Sequence, residues 1–275
     1  MLERVAKPPL RKAGGLVYCP ATTTTLHDAM STPAPAPTDP PLQAIVLAGG
    51  LGTRLRSVVP DLPKPMAPVA GRPFLAHVLD ALVEAGFEAA VLAVGYRHEA
   101  IQDHFGHRYR GMPLRYSIES SPLGTGGAIR LAGTQIDADP VFVLNGDTFV
   151  ALDYRAMHAA HLAAGVQLSV AVCAVPDVER YGSVEVEAGR LVGFREKGRS
   201  GSGLINAGTY LLAAELIAQI PEGRPHAFEQ ELLVPQVATL RPLAFLTSGR
   251  FIDIGVPADY ARAQALFAQP TGPDR

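Results

Sequence analysis

The chain has no tryptophan, two cysteines in 275 residues and only 18% charged side chains. Each scarcity excludes something. Cys19 and Cys173 form neither a Cys-x-x-Cys pair nor a Cys/His spacing, so no disulfide framework and no zinc site is written in the sequence. Cys173 ends the apolar run Leu168-Ser169-Val170-Ala171-Val172-Cys173 and reads as a buried, inert thiol; this usage suits a reducing cytoplasm. Net charge is −2, so no overall field draws nucleic acid or anionic lipid to the surface. No apolar run is long enough to cross a bilayer, because the richest, Ala81 to Gly95, is interrupted by Glu84, Gly86 and Glu88. Arg4, Lys7, Arg11 and Lys12 precede no continuous apolar stretch and make a poor secretory signal. The expectation is a cytoplasmic protein that binds neither nucleic acid nor membrane, with a homo-oligomer left open.

Hydrophobic residues make up 48% of the chain, enough for one substantial core. Residues 1–41 stand apart. A threonine run, Thr22 to Thr25, and the stretch Thr32-Pro33-Ala34-Pro35-Ala36-Pro37 cannot bury enough apolar surface to offset ordering, so this segment reads as a disordered tail, within which Met30 offers an alternative start. From Leu42 strands and helices alternate. Ala44 to Ala48 reads as a buried parallel strand and Pro73 to Ala85 as a helix with apolar positions Phe74, Leu75, Val78, Leu79 and Leu82. Strand 90–94, helix 99–105, a strand near 114–118, a helix from about Gly126 to Leu131 and strand 141–145 follow. This alternation predicts an α/β fold over residues 42–270, a doubly wound Rossmann-like mixed sheet with ligands at the carboxyl ends of its strands. Beyond Asp147 come helix 154–164, strand 167–175, short strands at 183–186, 191–194 and 205–211, and a last helix at 257–267, which read as a smaller extension of the same sheet.

The first strand runs into Leu47-Ala48-Gly49-Gly50-Leu51-Gly52-Thr53-Arg54-Leu55. A glycine-rich turn after a buried strand lets backbone N–H groups approach phosphate oxygens. It is neither common phosphate loop: a dinucleotide fingerprint from Gly50 requires glycine at position 55, which is Leu55, and the Gly-Lys-Ser/Thr of a P-loop is absent. The turn instead carries Arg54, followed by Lys64 between Pro63 and Pro65, which hold it in an extended segment. Alone, such a turn is as often structural as functional; with the two cations it points to polyphosphate.

Gly49-Gly50-x-Gly-Thr-Arg-Leu followed by Lys-Pro-Met resembles the signature of the sugar-1-phosphate nucleotidyltransferases, over a span from about Leu42 to Phe267. The resemblance implies a GT-A-like nucleotidyltransferase fold whose extension binds sugar. It implies that Leu47, Ala48, Gly49, Gly50, Gly52, Thr53, Arg54 and Lys64 hold the triphosphate. It also implies that Glu119-Ser120-Ser121-Pro122-Leu123-Gly124-Thr125-Gly126-Gly127 cups the nucleobase through Glu119, Gly124 and Thr125. Leu144-Asn145-Gly146-Asp147 and Phe251-Ile252-Asp253 match the segments carrying the metal aspartates, so Asp147 and Asp253 become the expected Mg²⁺ ligands, with Gly146 at the nucleotide. Taken alone, an aspartate at a strand's end is as readily a helix N-cap. On the sugar side, Gly182 brings backbone close to the sugar, Glu196 and Asn206 bind its hydroxyls and Lys197 its phosphate. Arg54, Lys64 and Lys197 are then the catalytic cations.

Glu119 carries a second argument. Related thymidylyltransferases often have glutamine there. A carboxylate only accepts hydrogen bonds, which suits the adjacent N1–H and N2–H₂ donors of guanine and not the single N3–H of uracil or thymine. GTP is therefore the expected donor and a sugar 1-phosphate the acceptor. The segments Arg54 to Pro68, Pro122 to Ile129, Leu144 to Phe149, Leu204 to Tyr210 and Phe251 to Gly255 are similar to the D-glycero-α-D-manno-heptose 1-phosphate guanylyltransferases, a subgroup that feeds bacterial surface glycans. A mannose-1-phosphate guanylyltransferase, a muramate-1-phosphate uridylyltransferase and a non-catalytic relative are the alternatives; the last predicts loss of Arg54, Lys64, Asp147 or Asp253, and all four are present. The histidines His77, His98, His104, His107, His158, His161 and His226 read as surface or helix-face residues.

Overall fold

The structure is a computed structural model; it describes residues 40–50, 55, 58–195, 197–198 and 200–268. The tail expected over residues 1–41 lies, as far as residue 39, outside the described residues.

Beyond strand β1 (Gln43–Leu47) lie the 3-10 turn Lys64–Met66 and a short hairpin, β2 (Pro68–Val69) and β3 (Arg72–Pro73). Then come α1 (Phe74–Glu84), β4 (Ala89–Val94), α2 (His98–Phe105), β5 (Arg108–Tyr109), β6 (Met112–Ile118), α3 (Gly124–Gly133) and β7 (Val141–Asn145). The second half comprises β8 (Thr148–Val150), α4 (Tyr154–Ala164), β9 (Leu168–Val175), β10 (Ser183–Glu187), β11 (Arg190–Arg195), β12 (Gly203–Leu212) and α5 (Ala214–Ala218). A π-helical stretch, Phe228–Leu233, leads into α6 (Val234–Leu240), β13 (Leu243–Thr247), β14 (Phe251–Asp253) and α7 (Pro257–Ala268).

One ten-stranded sheet, ordered β10-β11-β13-β9-β12-β7-β1-β4-β6-β5, runs through both halves. β7, β1, β4 and β6 are parallel neighbours, while β12 joins antiparallel to both β7 and β9. The strand sequence explains the double winding. Every residue of β4 is buried, as a parallel strand covered on both faces requires. Alternate residues feed separate cores: Ala44, Val46, Ala90 and Leu92 pack with Phe74, Leu75 and Leu79 of α1, whereas Ile45, Val91 and Ala93 pack with Ala128 and Ile129 of α3. Each fully buried valine, leucine, isoleucine or phenylalanine among them contributes about 1.5–3 kcal/mol. Successive connections from β1 lead to β4 and β6 on one side, and the next crossover returns to β7 on the other. The order therefore reverses between β1 and β7, leaving a crevice at their carboxyl ends.

Three expectations need correction. The third helix starts at Gly124 rather than Gly126, because the Gly126 and Gly127 N–H groups both donate to the His226 carbonyl and extend the helical turn back into the glycine stretch. The π-helical stretch, α6 and β13 had no counterpart in the sequence reading; Pro235 in the first turn of α6 masks a helix there. His226, read as a surface or helix-face residue, is buried in the segment before the π-helical stretch, while His158 and His161 lie on the buried face of α4. His161 Nδ1 pairs with Ser169 Oγ at 2.8 Å inside the second-half core, where burial pushes the imidazole pKa down to about 4.

Candidate active site

A cavity of about 720 Å³ opens along the carboxyl ends of β1, β4, β6 and β7, at the crevice where strand order reverses. Its floor comes from the two strand-to-turn transitions that the topology places side by side. Leu47 and Gly49-Gly50 follow β1, and Asn145 and Asp147 follow β7. Gly146 N–H donates to Leu47 O at 2.9 Å, and a Cβ on Gly146 would stand 2.8 Å from that oxygen, so only glycine lets the two turns meet. Ala48 is buried and donates its N–H to Ala93 O at 2.7 Å, anchoring the turn to β4. Gly49 is held close to the backbone after β4: its Cβ would lie 3.1 Å from Gly95 N. A Cβ on Gly50 would meet no atom of the described residues beyond its chain neighbours within 4 Å, and Gly50 lines the cavity. Gly52, Thr53 and Arg54 lie outside the described residues, as does Glu196 on the sugar side.

Asp147 and Asp253 are 106 positions apart in sequence and meet through the small sheet of β8 and β14, which registers Asp253 against Thr148. Lys64 Nζ lies between them, 2.5 Å from Asp147 Oδ2 and 3.4 Å from Asp253 Oδ1. The 3-10 turn after Pro63 presents that lysine, whose side chain is 10% exposed. Arg180, which the sequence reading did not single out, takes the other oxygen of Asp253 at 2.6 Å and also pairs with Asp259, which pairs in turn with Arg262 at 2.5 Å. Gly255 N–H donates to Asp253 Oδ1 at 2.7 Å. The result is an alternating chain of three carboxylates and three cations. Each carboxylate is thereby paired, as burial requires. The one sequence hint of Arg180 was its place directly before Tyr181-Gly182.

Glu119 lines the cavity half-buried at the end of β6. Its Oε2 accepts the Leu123 N–H at 2.9 Å, which closes the turn into α3, and burial pushes its carboxyl pKa up. Gly124 and Thr125 line the same cavity, but the glycines of this turn are demanded by protein. Gly124 has φ +67°, and a Cβ there would meet His226 O at 2.7 Å; one on Gly127 would meet Leu123 Cβ at 2.7 Å and Arg224 O at 3.1 Å.

On the sugar side, Gly182 has φ +77° and approaches Arg195 O so closely that a Cβ would stand 2.7 Å away, with Lys197 beside it. Asn206 lies where β12 loses register with β9, its amide held by Tyr210 and Glu229. Gly182, Lys197 and Asn206 do not line the cavity; the structure brings Gly182 and Lys197 together as one group and, of the triphosphate candidates, Leu47, Gly49, Gly50 and Lys64 around the cavity as another.

The family profile that matches residues 43–269 is that of the nucleotidyl transferases. The chain belongs to the nucleotidyl transferase family. The match spans the cavity, the carboxylate pair and both halves of the sheet. Among relatives of this nucleotidyl transferase, the D-glycero-alpha-D-manno-heptose 1-phosphate guanylyltransferase of Aneurinibacillus thermoaerophilus is 40% identical over 223 residues, 81% of this chain and 97% of that one. Its counterpart from Campylobacter jejuni is also 40% identical, covering 80% of this chain and 97% of that one. The crystal structure of HddC from Yersinia pseudotuberculosis complexed with GMP-PN superimposes with a TM-score of 0.75 at 38% identity, covering 82% of this chain and 99% of that one. The α/β sheet expected from the sequence is thus the fold of the family, and the chain is an enzyme of the sugar-1-phosphate nucleotidyltransferase class. Among the described residues no helix is long and apolar enough to cross a membrane.

Proposed function

We propose that this enzyme transfers GMP from GTP to D-glycero-α-D-manno-heptose 1-phosphate, releasing pyrophosphate and supplying an activated sugar for surface glycan synthesis. The observation that carries the reading is the convergence of Lys64, Asp147 and Gly50 on one cavity that Glu119 also lines. Guanylyltransferases of this acceptor at 40% identity support the choice of substrates. The cytoplasm is the proposed compartment, which the sparse, unpaired cysteines support.

In the proposed reaction an oxygen of the sugar phosphate attacks the α-phosphorus in line, and the bond to the β-phosphate oxygen breaks as pyrophosphate leaves. The attacking oxygen is already anionic at neutral pH, so no general base is needed. The protein's tasks are positioning and charge neutralisation. Backbone N–H groups of the Gly49-Gly50 turn face the triphosphate, Lys64 offsets charge at the reacting phosphates, and Lys197, beside Gly182, binds the incoming sugar phosphate. Arg54 is assigned to the triphosphate by family resemblance.

Mg²⁺ is proposed as the metal. The donor set fits: two carboxylates already reach one cationic point, Lys64 Nζ, and Mg²⁺ takes one or two carboxylates with phosphate oxygens and water filling its other positions. Asp147 and Asp253 would hold it. When bound, it would supply Lewis-acid neutralisation of the phosphate oxygens.

Glu119 is the proposed selector of guanine: Oε2 closes the turn, and Oε1 stays able to accept from the base. The test is pyrophosphate release from each nucleoside triphosphate with heptose, mannose and N-acetylmuramate 1-phosphates. GTP with the heptose phosphate should turn over fastest, and Glu119→Gln should lower the GTP-to-UTP ratio by about tenfold or more, the worth of one charge-assisted hydrogen bond. An unchanged ratio refutes the base assignment; no release with any pair refutes the activity.

A further inference from the structure

Between α5 and the π-helical stretch the chain crosses from the nucleotide turn to the sugar side, and hydrogen bonds fix it at both ends. At the nucleotide end, His226 N–H donates to Leu123 O at 2.8 Å, His226 O accepts from Gly126 N at 2.8 Å, and Phe228 N–H donates to Thr125 Oγ at 2.9 Å. At the other end, Glu229 Oε1 accepts from Asn206 Nδ2 at 2.9 Å and from the buried Tyr210 hydroxyl. Asn206 Nδ2 also donates to Tyr210 Oη at 2.8 Å, and Asn206 Oδ1 accepts from Gly208 N at 3.0 Å.

The chemistry of these contacts fixes the orientation of the amide. A carboxylate only accepts, so Glu229 forces the NH₂ side of Asn206 toward itself. Both amide hydrogens are then used, one on Glu229 and one on Tyr210. Towards a ligand Asn206 has only acceptor capacity left, on Oδ1. Local backbone makes room for this: β12 is out of register with β9 between Asn206 and Tyr210, and Gly208, at φ +70°, passes so near Asn145 that a Cβ would lie 2.5 Å from its Nδ2. Nothing in the proposed chemistry otherwise uses Glu229, although it is half-buried and two of its hydrogen bonds go to one oxygen.

We propose that Glu229 is a specificity-determining positioning residue. By accepting directly from the Asn206 amide, and from the Tyr210 hydroxyl that takes the other amide hydrogen, it locks Asn206 as a pure hydrogen-bond acceptor, so that the acceptor site selects a sugar hydroxyl, a donor, at that position. The inference rests on the reading of Asn206 as a sugar-binding residue. It adds that the selectivity resides in a carboxylate placed by the same segment that closes the nucleobase turn.

Steady-state kinetics on the full chain test it with three variants. Asn206→Ala tests the underlying reading, and should raise KM for the sugar 1-phosphate; if it does not, the sugar assignment of Asn206 fails and the proposal with it. Glu229→Gln keeps the shape but can donate as well as accept, freeing Asn206 to flip. It should raise that KM by about tenfold, the worth of the one hydrogen bond a sugar hydroxyl would lose at Asn206 Oδ1, while KM for GTP and the melting temperature stay near those of the parent. It should also narrow the preference over the 1-phosphate of a deoxy sugar lacking a hydroxyl. Adding Glu229→Gln to Asn206→Ala should produce no further change, because Glu229 acts through Asn206. If Asn206→Ala raises KM and Glu229→Gln does not, or if the two effects multiply, the proposal is overturned. Should Glu229→Gln fail to fold, Glu229→Asp, which keeps the charge but draws the carboxylate back from Asn206 and Tyr210, decides in the same way: a raised sugar KM supports the proposal and an unchanged one overturns it.

Discussion

Replacing Lys64 with methionine removes the cation that holds Asp147 and Asp253 together while keeping the length and apolar stem of the side chain. Two effects of opposite character should follow. The first concerns stability. The ammonium is 2.5 Å from one carboxylate and 3.4 Å from the other, and its side chain is only 10% exposed. A pair at about 4 Å is worth about 4 kcal/mol at an effective dielectric of 20 before desolvation is charged against it. Breaking a buried pair by removing one partner costs about 3–5 kcal/mol. The aspartate side chains here are 33% and 22% exposed, so water recovers part of that loss, and about 2 kcal/mol is the expected net cost. For a domain of this size that corresponds to a fall in Tm of roughly 4–8 °C. The second concerns the reaction. Loss of one positive group at the transferring phosphate should lower kcat by about 10²–10³. With Asp147 left unpaired and Asp253 left to Arg180, the two carboxylates should bind Mg²⁺ more tightly in the absence of nucleotide, so added Mg²⁺ should restore more of the lost Tm in the variant than it adds to the parent. Differential scanning fluorimetry with and without Mg²⁺, beside continuous pyrophosphate release, reads both effects. Turnover within threefold of the parent would remove Lys64 from the chemistry, and an unchanged Tm would show that the lysine does not hold the carboxylate pair.

Two further perturbations probe different links of the argument. Gly126→Ala would drive a Cβ into His226 Nδ1 and to 3.0 Å from His226 O, so the segment leading to Glu229 must shift. Such overpacking costs about 1–3 kcal/mol, and KM should rise for both substrates, which initial rates with each substrate varied in turn would read. His161 has a folded pKa lowered to about 4 by burial, reinforced by His158, against about 6.5 when unfolded. Between those values the unfolded chain binds more protons, so stability is complete above about pH 6.5 and is lost progressively as the pH falls toward 4. Urea midpoints at pH 7 and pH 5 should therefore differ in the parent and differ less in His161→Gln; an equal drop in both would assign the acid sensitivity elsewhere.

Which parts of this enzyme could be read from its sequence follows from how far each contact reaches along the chain. β1 and β4 are continuous apolar runs, and α1 repeats its apolar positions with helical period, so near-neighbour residues alone specify them. The stretch Phe228–Leu233 offers no such signal: Glu229, Gln230 and Glu231 interrupt it, and Pro235 follows at once. The site divides in the same way. Lys64, Asp147 and Asp253 each sit in a short motif at the end of a strand or turn, where a ligand-facing residue in an open sheet is expected. Arg180 and Glu229 have no motif. Their roles arise from partners 73 and 23 residues away, which a one-dimensional pattern does not connect. The glycines at 124–127 are the instructive case, because the motif was legible but its cause was not. The sequence reading gave the whole turn to the nucleobase. Gly124 and Thr125 do line the cavity, yet the missing side chains make room for Arg224 and His226, about 100 residues further on. A residue type in a binding motif can therefore be fixed by the protein behind it. In this turn the side facing the cavity leaves selectivity to Glu119, and the side facing away carries the chain to Asn206 through Glu229. If the roles proposed for Glu119 and Glu229 hold, base choice and sugar choice are built onto one short turn, and a substitution there should be read on both substrates before it is assigned to either.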